Sequence, residues 1–431
     1  MQSDLDQDAL AANPRRVTSV AIAAETIGEG CGLGNYLACL RSALEAERGE
    51  SRQLRAFGTV GDSFAHRGLL GHLRTAIGTS KLGSLLRPVY RRVVRASPHL
   101  PATSWAEIWR ALDASTVCLL PHVVCNDGGL LDEYYSALAT RRLVWVVHDL
   151  HPLHFPDQWD SRSVDLFVHR CRMLADCARA IIVHNEYTKA DVCQRLGAAP
   201  TKVVVAGLPS ILPQCEAQVL PPAGKTLRKL GIRRPYALWA SSSTFGHKNH
   251  DRLLRAWRKL RDQSKEIQLV CTGTQGPRWA TLERLIRDLG LQDSVVFTGG
   301  VPREVMWVVL GNATIAVCPT LFEGGGSGPV AEAIMMRVPV ACARIPQIQE
   351  QLDYRDDLVE WFDPLDEQAI AEAVGALLDD PGAALSRAKH AAEVYPTLRS
   401  WAQVADVYWH ALDAAARGEP RRGEDCLAPC P

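Results

Sequence analysis

Apolar positions along this chain fall into two registers that alternate from end to end. Short β-branched and aliphatic runs read as strands: "RVTSVAIAA", "STVCLLP", "RLVWVVHD", "ARAIIVH" and "KVVVAG" in the first half. In the second half the same reading falls on "YALWAS", "IQLVCTG", "SVVFTG", "TIAVCP", "VPVACA" and "LVEWF". Between them, segments such as "HDRLLRAWRKLRDQ" and "DEQAIAEAVGALLDD" repeat apolar residues at three- and four-residue spacing, the period of a helix with one buried face. Strands that are apolar throughout, not at every second position, are covered on both sides, so the pattern predicts parallel sheets between layers of helices. Two such series flank the proline-bearing "GLPSILPQCEAQVLPPAGK", which predicts two doubly wound domains and a linker.

Length supports two domains, since 431 residues exceed what one core usually holds. Charge is balanced, with 48 basic and 48 acidic side chains, which argues against a nucleic-acid partner. The 13 cysteines are scattered, odd in number and without a C-x-x-C pair, and Cys118, Cys271, Cys318 and Cys342 sit inside apolar runs. Buried thiols in a reducing compartment fit that usage better than a disulfide framework. The polar, acidic start "MQSDLDQDALAANPRR" does not read as a signal peptide, and no apolar stretch reaches the roughly 20 residues of a membrane-spanning helix. The expected location is cytoplasmic.

In open parallel sheets, ligands bind beyond the carboxyl ends of the strands, so the residues just after each strand are the candidates. The most informative is "LFEGGGSGPVAEAIMM", which places Gly324, Gly325, Gly326, Ser327 and Gly328 between Glu323 and Glu332. Pro329 suits the first turn of a helix, and amides around Gly325 to Gly328 would then present the positive end of the helix dipole to a phosphate. Two carboxylates beside an anion site suit the hydroxyl groups of a sugar. After "YALWASSS" comes "TFGHKNHDRLL", with Asn249 as an expected N-cap and Lys248 at the helix start, where it faces a phosphate or is an ordinary surface lysine. In "VVHDLHPLHFP", His148 ends a strand; His151 and His154 follow at three-residue intervals, but Pro152 and Pro156 argue against a helix that would gather the rings on a metal. "IGEGCGLGNYL" places glycines at 28, 30, 32 and 34 after the first strand; this is not the G-x-G-x-x-G of a dinucleotide site, yet it allows close backbone approach to a ligand. Residues 63 to 106 hold no Asp or Glu but carry Arg67, Arg74, Lys81, Arg87, Arg91, Arg92 and Arg95 among leucines and valines. Such a stretch suits an anionic membrane surface or, equally, a solvated helix face or an acceptor-site wall.

Together these segments resemble the retaining, nucleotide-sugar-dependent glycosyltransferases of the GT-B fold known as glycosyl transferases group 1, including their mannosyltransferase-like members. The resemblance rests on "EGGGSGPVAEAIMMRVPVACARIPQIQE", "HKNHDRLLRAW", "VVHDLHPLHFP", "GCGLGNYL" and "VVFTGGVPREVMWVVLGNATIAVCPTLFEG", and spans residues 17 to 412 in order. It implies an α/β fold of two doubly wound Rossmann-like domains facing across a cleft. The expected layout is a disordered tail at 1–15, an acceptor-binding domain at 16–208, a linker at 209–232 and a nucleotide-sugar domain at 233–392. A helix at 393–418 would return to the first domain before a disordered tail at 419–431.

By the same resemblance, Glu323 contacts donor-sugar hydroxyls, Glu332 holds the ribose, Lys248 meets the diphosphate and His148 lies by the donor sugar near the acceptor. Gly32 and Gly34 approach the diphosphate from the other domain. Gly325, Gly326, Ser327 and Gly328 complete the donor site, and no metal or other cofactor is required. The implied activity is transfer of a hexose from GDP-mannose or a UDP-sugar to a glycan or lipid-linked acceptor, with retention, in cell-surface polysaccharide or glycoconjugate synthesis. Peripheral contact with the inner face of the membrane through 66–95 goes with it. Two departures stand out: the gap from Glu323 to Glu332 is one residue longer than the family pattern, and Ser242 and Ser243 stand where the family often has an arginine. A non-catalytic nucleotide-sugar-binding relative, or another GT-B enzyme such as an epimerase, are the competing readings.

Overall fold

The computed structural model describes residues 18–23, 32–57, 112–121, 123, 132–209 and 222–418. The basic stretch 66–95, the glycines at 28 and 30, and both terminal tails lie outside the described residues. Two six-stranded sheets organise the rest, and every pairing within them is parallel. The first sheet holds β1 (Thr18–Ala23), β2 (Arg52–Phe57), β3 (Val117–Leu120), β4 (Arg142–Val147), β5 (Ala180–Val183) and β6 (Val203–Val205), in the order β2-β1-β3-β4-β5-β6. The second holds β7 (Tyr236–Ala240), β8 (Gln268–Thr272), β9 (Val295–Gly299), β10 (Ile315–Cys318), β11 (Val340–Ala343) and β12 (Glu360–Phe362), in the order β12-β11-β10-β7-β8-β9. This is the GT-B architecture of two Rossmann-like domains across a cleft.

The central strands are buried along their length, as their unbroken apolar runs require. Strand β2 escaped the sequence reading because it lies at a sheet edge. Its "RQLRAF" mixes polar and apolar residues and forms no continuous run. Hydrophobic clusters fill both faces of the first sheet, and another surrounds the second.

The chain crosses between domains twice. Part of the expected linker is structured: Ala223–Lys229 is a helix, and its Leu227 joins the core of the second domain. The helix Pro381–Leu398 also stays with that domain, through Ala384, Ala391 and Tyr395, so the return begins after Leu398 and not at 393. A capping box at Ser400 then starts Trp401–Arg417, which packs on the first sheet. There Tyr408 hydrogen-bonds Tyr36 at 2.6 Å, and the Trp409 indole donates to the Leu44 carbonyl at 3.1 Å.

In the second sheet the strand order reverses between β7 and β10. That switch point aims the loop after β7 and the glycine loop after β10 into the crevice where doubly wound sheets bind ligands.

Candidate active site

A cavity of about 1240 Å³ opens between the domains. Its first-domain wall includes Gly34, Tyr36, His148, Asp149 and His184; its second-domain wall includes Ser241, Ser242, Thr274, Arg303, Gly324, Gly325, Gly326, Gly328 and Glu332. This exceeds the roughly 300–1,000 Å³ of an ordinary small-molecule site and leaves room for two substrates.

The helix Gly328–Met335 starts directly behind the glycine loop, with Pro329 in its first turn. One turn in, Glu332 faces the cavity. Burial pushes its carboxyl up to about 7, against the pull of the Arg303 guanidinium. Arg303 opens its own helix, Arg303–Gly311, and lies over the Trp307 ring at 5.1 Å.

Not every amide of the loop faces the cavity. The Ser327 N–H donates to Gln351 Oε1 at 2.7 Å, its carbonyl accepts from Gln351 Nε2 at 3.1 Å, and its hydroxyl lies 3.3 Å from the Cys318 thiol. Ser327 is thus buried structure and not a lining residue, contrary to its sequence assignment. The glycines also answer to the protein itself. A Cβ on Gly324 would collide with the His148 carbonyl and Asp149, one on Gly325 would lie 2.5 Å from the His184 ring, and Gly326, at φ 120°, packs on Gln351. Across that seam the Gly324 carbonyl accepts from Asn185 Nδ2 at 2.7 Å and Thr188 Oγ1 at 2.9 Å, and Glu350 Oε1 accepts from the Glu186 N–H at 2.7 Å.

Lys248 and Glu323 do not line the cavity; they hold each other at 2.8 Å, mostly buried. Lys248 closes the short helix Gly246–Lys248, and Asn249 follows it with φ 59°. Asn249 is not the side-chain cap its type suggested, because its Nδ2 donates to the carbonyls of Pro319 and Pro364 at 2.9 and 2.8 Å.

His148, His151 and His154 diverge. His148 lines the cavity, and its Nε2 donates to the Pro121 carbonyl at 2.8 Å. His151 accepts from the Trp159 indole at 2.9 Å and so donates through Nε2 to His247 of the second domain, 2.7 Å away. His154 bonds Asp191 at 2.6 Å. Pro152 lies in the first turn of a four-residue helix, His151–His154, where its missing N–H costs nothing. Burial, reinforced by Lys248, pushes His151 down to about 4 and lowers His247 further. Burial likewise raises Asp149 above the usual carboxylate range. Among the described residues, no group of three or more His, Cys, Asp or Glu could hold a metal ion.

Gly32 begins the helix Gly32–Ala46, and Gly34, in its first turn, lines the cavity. Both were read as loop. Sequence reasoning missed His184, Arg303, Asn185, Thr188 and Gln351. The only signal for the first two was their position just beyond β5 and β9.

Residues 225–394 match the family model described as Glycosyl transferases group 1. The match lies within the second domain and the helix leading into it. Over 131 residues the chain is 31% identical to the MMP alpha-(1->4)-mannosyltransferase of Mycolicibacterium hassiacum, covering 30% of this chain and 31% of that protein. Over 141 residues it is 35% identical to the GDP-mannose-dependent alpha-(1-6)-phosphatidylinositol monomannoside mannosyltransferase of Mycolicibacterium smegmatis, covering 31% and 36%. The chain thus spans about a third of the length of these curated relatives. Anabaena HepE, in complex with UDP and glucose, superposes with a TM-score of 0.65 at 15% identity, over 92% of this chain and all of that one. An E. coli structure described as trehalose-6-phosphate bound with UDP-2-fluoro glucose gives 0.61 at 11%, over 92% and 99%. At such identities the structural likeness shows the GT-B fold, while the group 1 match bears on the domain that carries Lys248, Glu323 and Glu332. No helix among the described residues is long and apolar enough to cross a membrane.

Proposed function

We propose that this protein transfers a hexose from a nucleotide-diphospho-sugar, GDP-mannose or a UDP-sugar, to an acceptor hydroxyl with retention of anomeric configuration. The product would belong to a cell-surface polysaccharide or glycoconjugate. The observation that carries the reading is the interdomain cavity. It joins a glycine loop and helix N-terminus to a buried carboxylate on one wall and to His148 on the other.

The chemistry follows from these groups. The bond between the anomeric carbon and the diphosphate oxygen breaks, its electron pair staying on the diphosphate, and the acceptor oxygen takes its place, its proton passing to the departing diphosphate. Amides of Gly325, Gly326 and Gly328, the helix dipole and Arg303 would meet the developing charge without a metal. Glu332 would accept from the ribose hydroxyls. Lys248 would exchange Glu323 for the diphosphate, freeing Glu323 for sugar hydroxyls. Support for a mannosyl donor comes from the two mannosyltransferase relatives. Peripheral membrane contact through residues 66–95 remains part of the proposal for a lipid-linked acceptor.

The test is a thermal-shift panel of UDP, GDP, ADP and dTDP and their sugars on wild type and Glu332→Ala. A ligand that binds only the folded state raises the melting temperature by mass action. One nucleotide should stabilise the wild type and stabilise the variant less. No shift with any at millimolar concentration overturns the donor assignment.

A further inference from the structure

His148 and His184 form a chain whose hydrogens do not add up when both rings are neutral. His148 Nε2 lies 2.8 Å from the Pro121 carbonyl oxygen, His148 Nδ1 lies 2.8 Å from His184 Nε2, and His184 Nδ1 lies 3.3 Å from the Gly207 carbonyl oxygen. Carbonyl oxygens only accept, so each outer contact needs a hydrogen on the ring nitrogen, and the central contact needs one between the two nitrogens. Three hydrogen bonds require three hydrogens, and two neutral imidazoles carry two. The neutral arrangement that avoids opposing lone pairs at the shortest contacts has His148 donating to Pro121 and His184 donating to His148. It leaves the longest contact, at Gly207, without a hydrogen. Only a single extra proton, shared by the pair, completes the chain.

Burial opposes that proton and pushes His184 down to about 4, while the Gly207 carbonyl pulls the other way. The surroundings are finely divided. The Tyr36 ring stands nearly perpendicular to both imidazoles, with centroids 5.1 and 5.0 Å apart, and its hydroxyl is hydrogen-bonded to Tyr408. Arg399 packs against Gly207, and the glycine loop at Gly325 covers His184. Asp149 adjoins His148, Glu350 caps the helix that follows His184, and Glu332 and Arg303 stand in the cavity wall. Lys248 and Glu323 neutralise each other. Both imidazoles border the cavity, with His184 almost wholly buried beneath the glycine loop, so an anion entering it acts on the pair through His148.

We infer that His148 and His184 jointly bind one solvent proton when a nucleotide-diphospho-sugar fills the cavity, and so act as a switchable cation beside the diphosphate. The inference rests on the donor-binding reading above. It also gives His148 a role other than general base, because both of its ring nitrogens are engaged within the protein.

The experiment is isothermal titration of the full chain with GDP-mannose and with UDP-glucose, whose diphosphates do not titrate near neutrality. Phosphate and Tris buffers are used in parallel, on wild type and His184→Phe. The dependence of heat on buffer counts protons. Wild type should take up between half a proton and one more than His184→Phe at pH 7, and the comparison cancels any contribution from Glu332. Relative to the variant, wild-type affinity should rise about tenfold from pH 8 to pH 6, the change expected when about half a proton on average is taken up with the ligand across that range. Equal proton counts in the two proteins overturn this inference alone. Binding of neither nucleotide-sugar overturns the donor reading and this inference with it. If His184→Phe does not fold, nitrogen-15 spectra of the wild-type imidazoles decide: imidazolium shifts on adding the bound nucleotide-sugar support the pair, and neutral shifts refute it.

Discussion

Replacing Glu332 by Gln should make the empty protein more stable and the donor site worse. Burial has moved this carboxyl from 4.5 to about 7. A folded pKa above the unfolded one means that the protonated form favours the fold. That contribution is complete below about pH 4.5 and is lost as pH rises through 7. At about 1.4 kcal/mol per pH unit, the ionised carboxylate costs about 3 kcal/mol at pH 8 and under about 1 kcal/mol at pH 5. Glutamine keeps the shape and removes the titration. In thermal unfolding, Glu332→Gln should therefore melt roughly 6–12 °C above wild type at pH 8 for a domain of this size, and close to it at pH 5. The same variant should show a smaller melting shift with the stabilising nucleotide, because an amide accepts ribose hydroxyls less strongly than a carboxylate. An offset between variant and wild type that is equal at both pH values would refute the reasoning, since it would mean that the carboxyl is not desolvated.

Gly324→Ala should destabilise by about 1–3 kcal/mol, the usual cost of overpacking, because its Cβ collides with His148 and Asp149 across the cleft. An unchanged melting temperature would show that the domains do not meet there. Thr188→Val removes one donor to the Gly324 carbonyl and should cost about 1 kcal/mol, whereas Asn185→Ala removes the other donor and a helix cap and should cost about 2 kcal/mol. Urea denaturation checks that order. Lys248→Met leaves the largely buried Glu323 without its partner and should cost about 3 kcal/mol, much of which the double variant with Glu323→Gln restores. Denaturant midpoints of the three proteins test that recovery.

Much of the fold could be read from the sequence because parallel strands buried on both faces write themselves as unbroken apolar runs. The exception, β2, is informative: at an edge the constraint relaxes, and Arg52, Gln53 and Arg55 hide the strand. The site was legible in part for a different reason. A glycine cluster ahead of a proline-started helix has few uses other than close approach, so the loop and Glu332 stood out. What approaches the loop was not legible. Ser327 looked like an anion-binding amide until Gln351 took that amide, and Asn249 looked like a cap until two carbonyls took its side chain. His184 and Arg303 carry no local pattern: His184 meets Gly325, more than a hundred positions away, and Arg303 meets Glu332 only once the fold brings their two helices to one cavity.

The cross-domain contacts point to one further conclusion about how the site is assembled. The polar links between the domains include Asn185 and Thr188 to Gly324, Glu350 to the Glu186 N–H, His151 to His247 and Gln158 to the Gly246 N–H. The second-domain partners Gly324, Gly246 and His247 lie within two residues of Glu323 or Lys248, and Glu350 sits on the helix Pro346–Gln351. The aromatic packing repeats the pattern, with Phe322, next to Glu323, set against His154 and Phe155. Opening the cleft would therefore release the glycine loop, uncover His184 and loosen the segments that carry the lysine and the glutamate, all in one movement. Closure and assembly of the site are then the same event, as in enzymes whose catalytic groups come into register only when domains meet. On that view Gly324 and Gly325 are small because the other domain reaches the loop there, and no side chain leaves room for it.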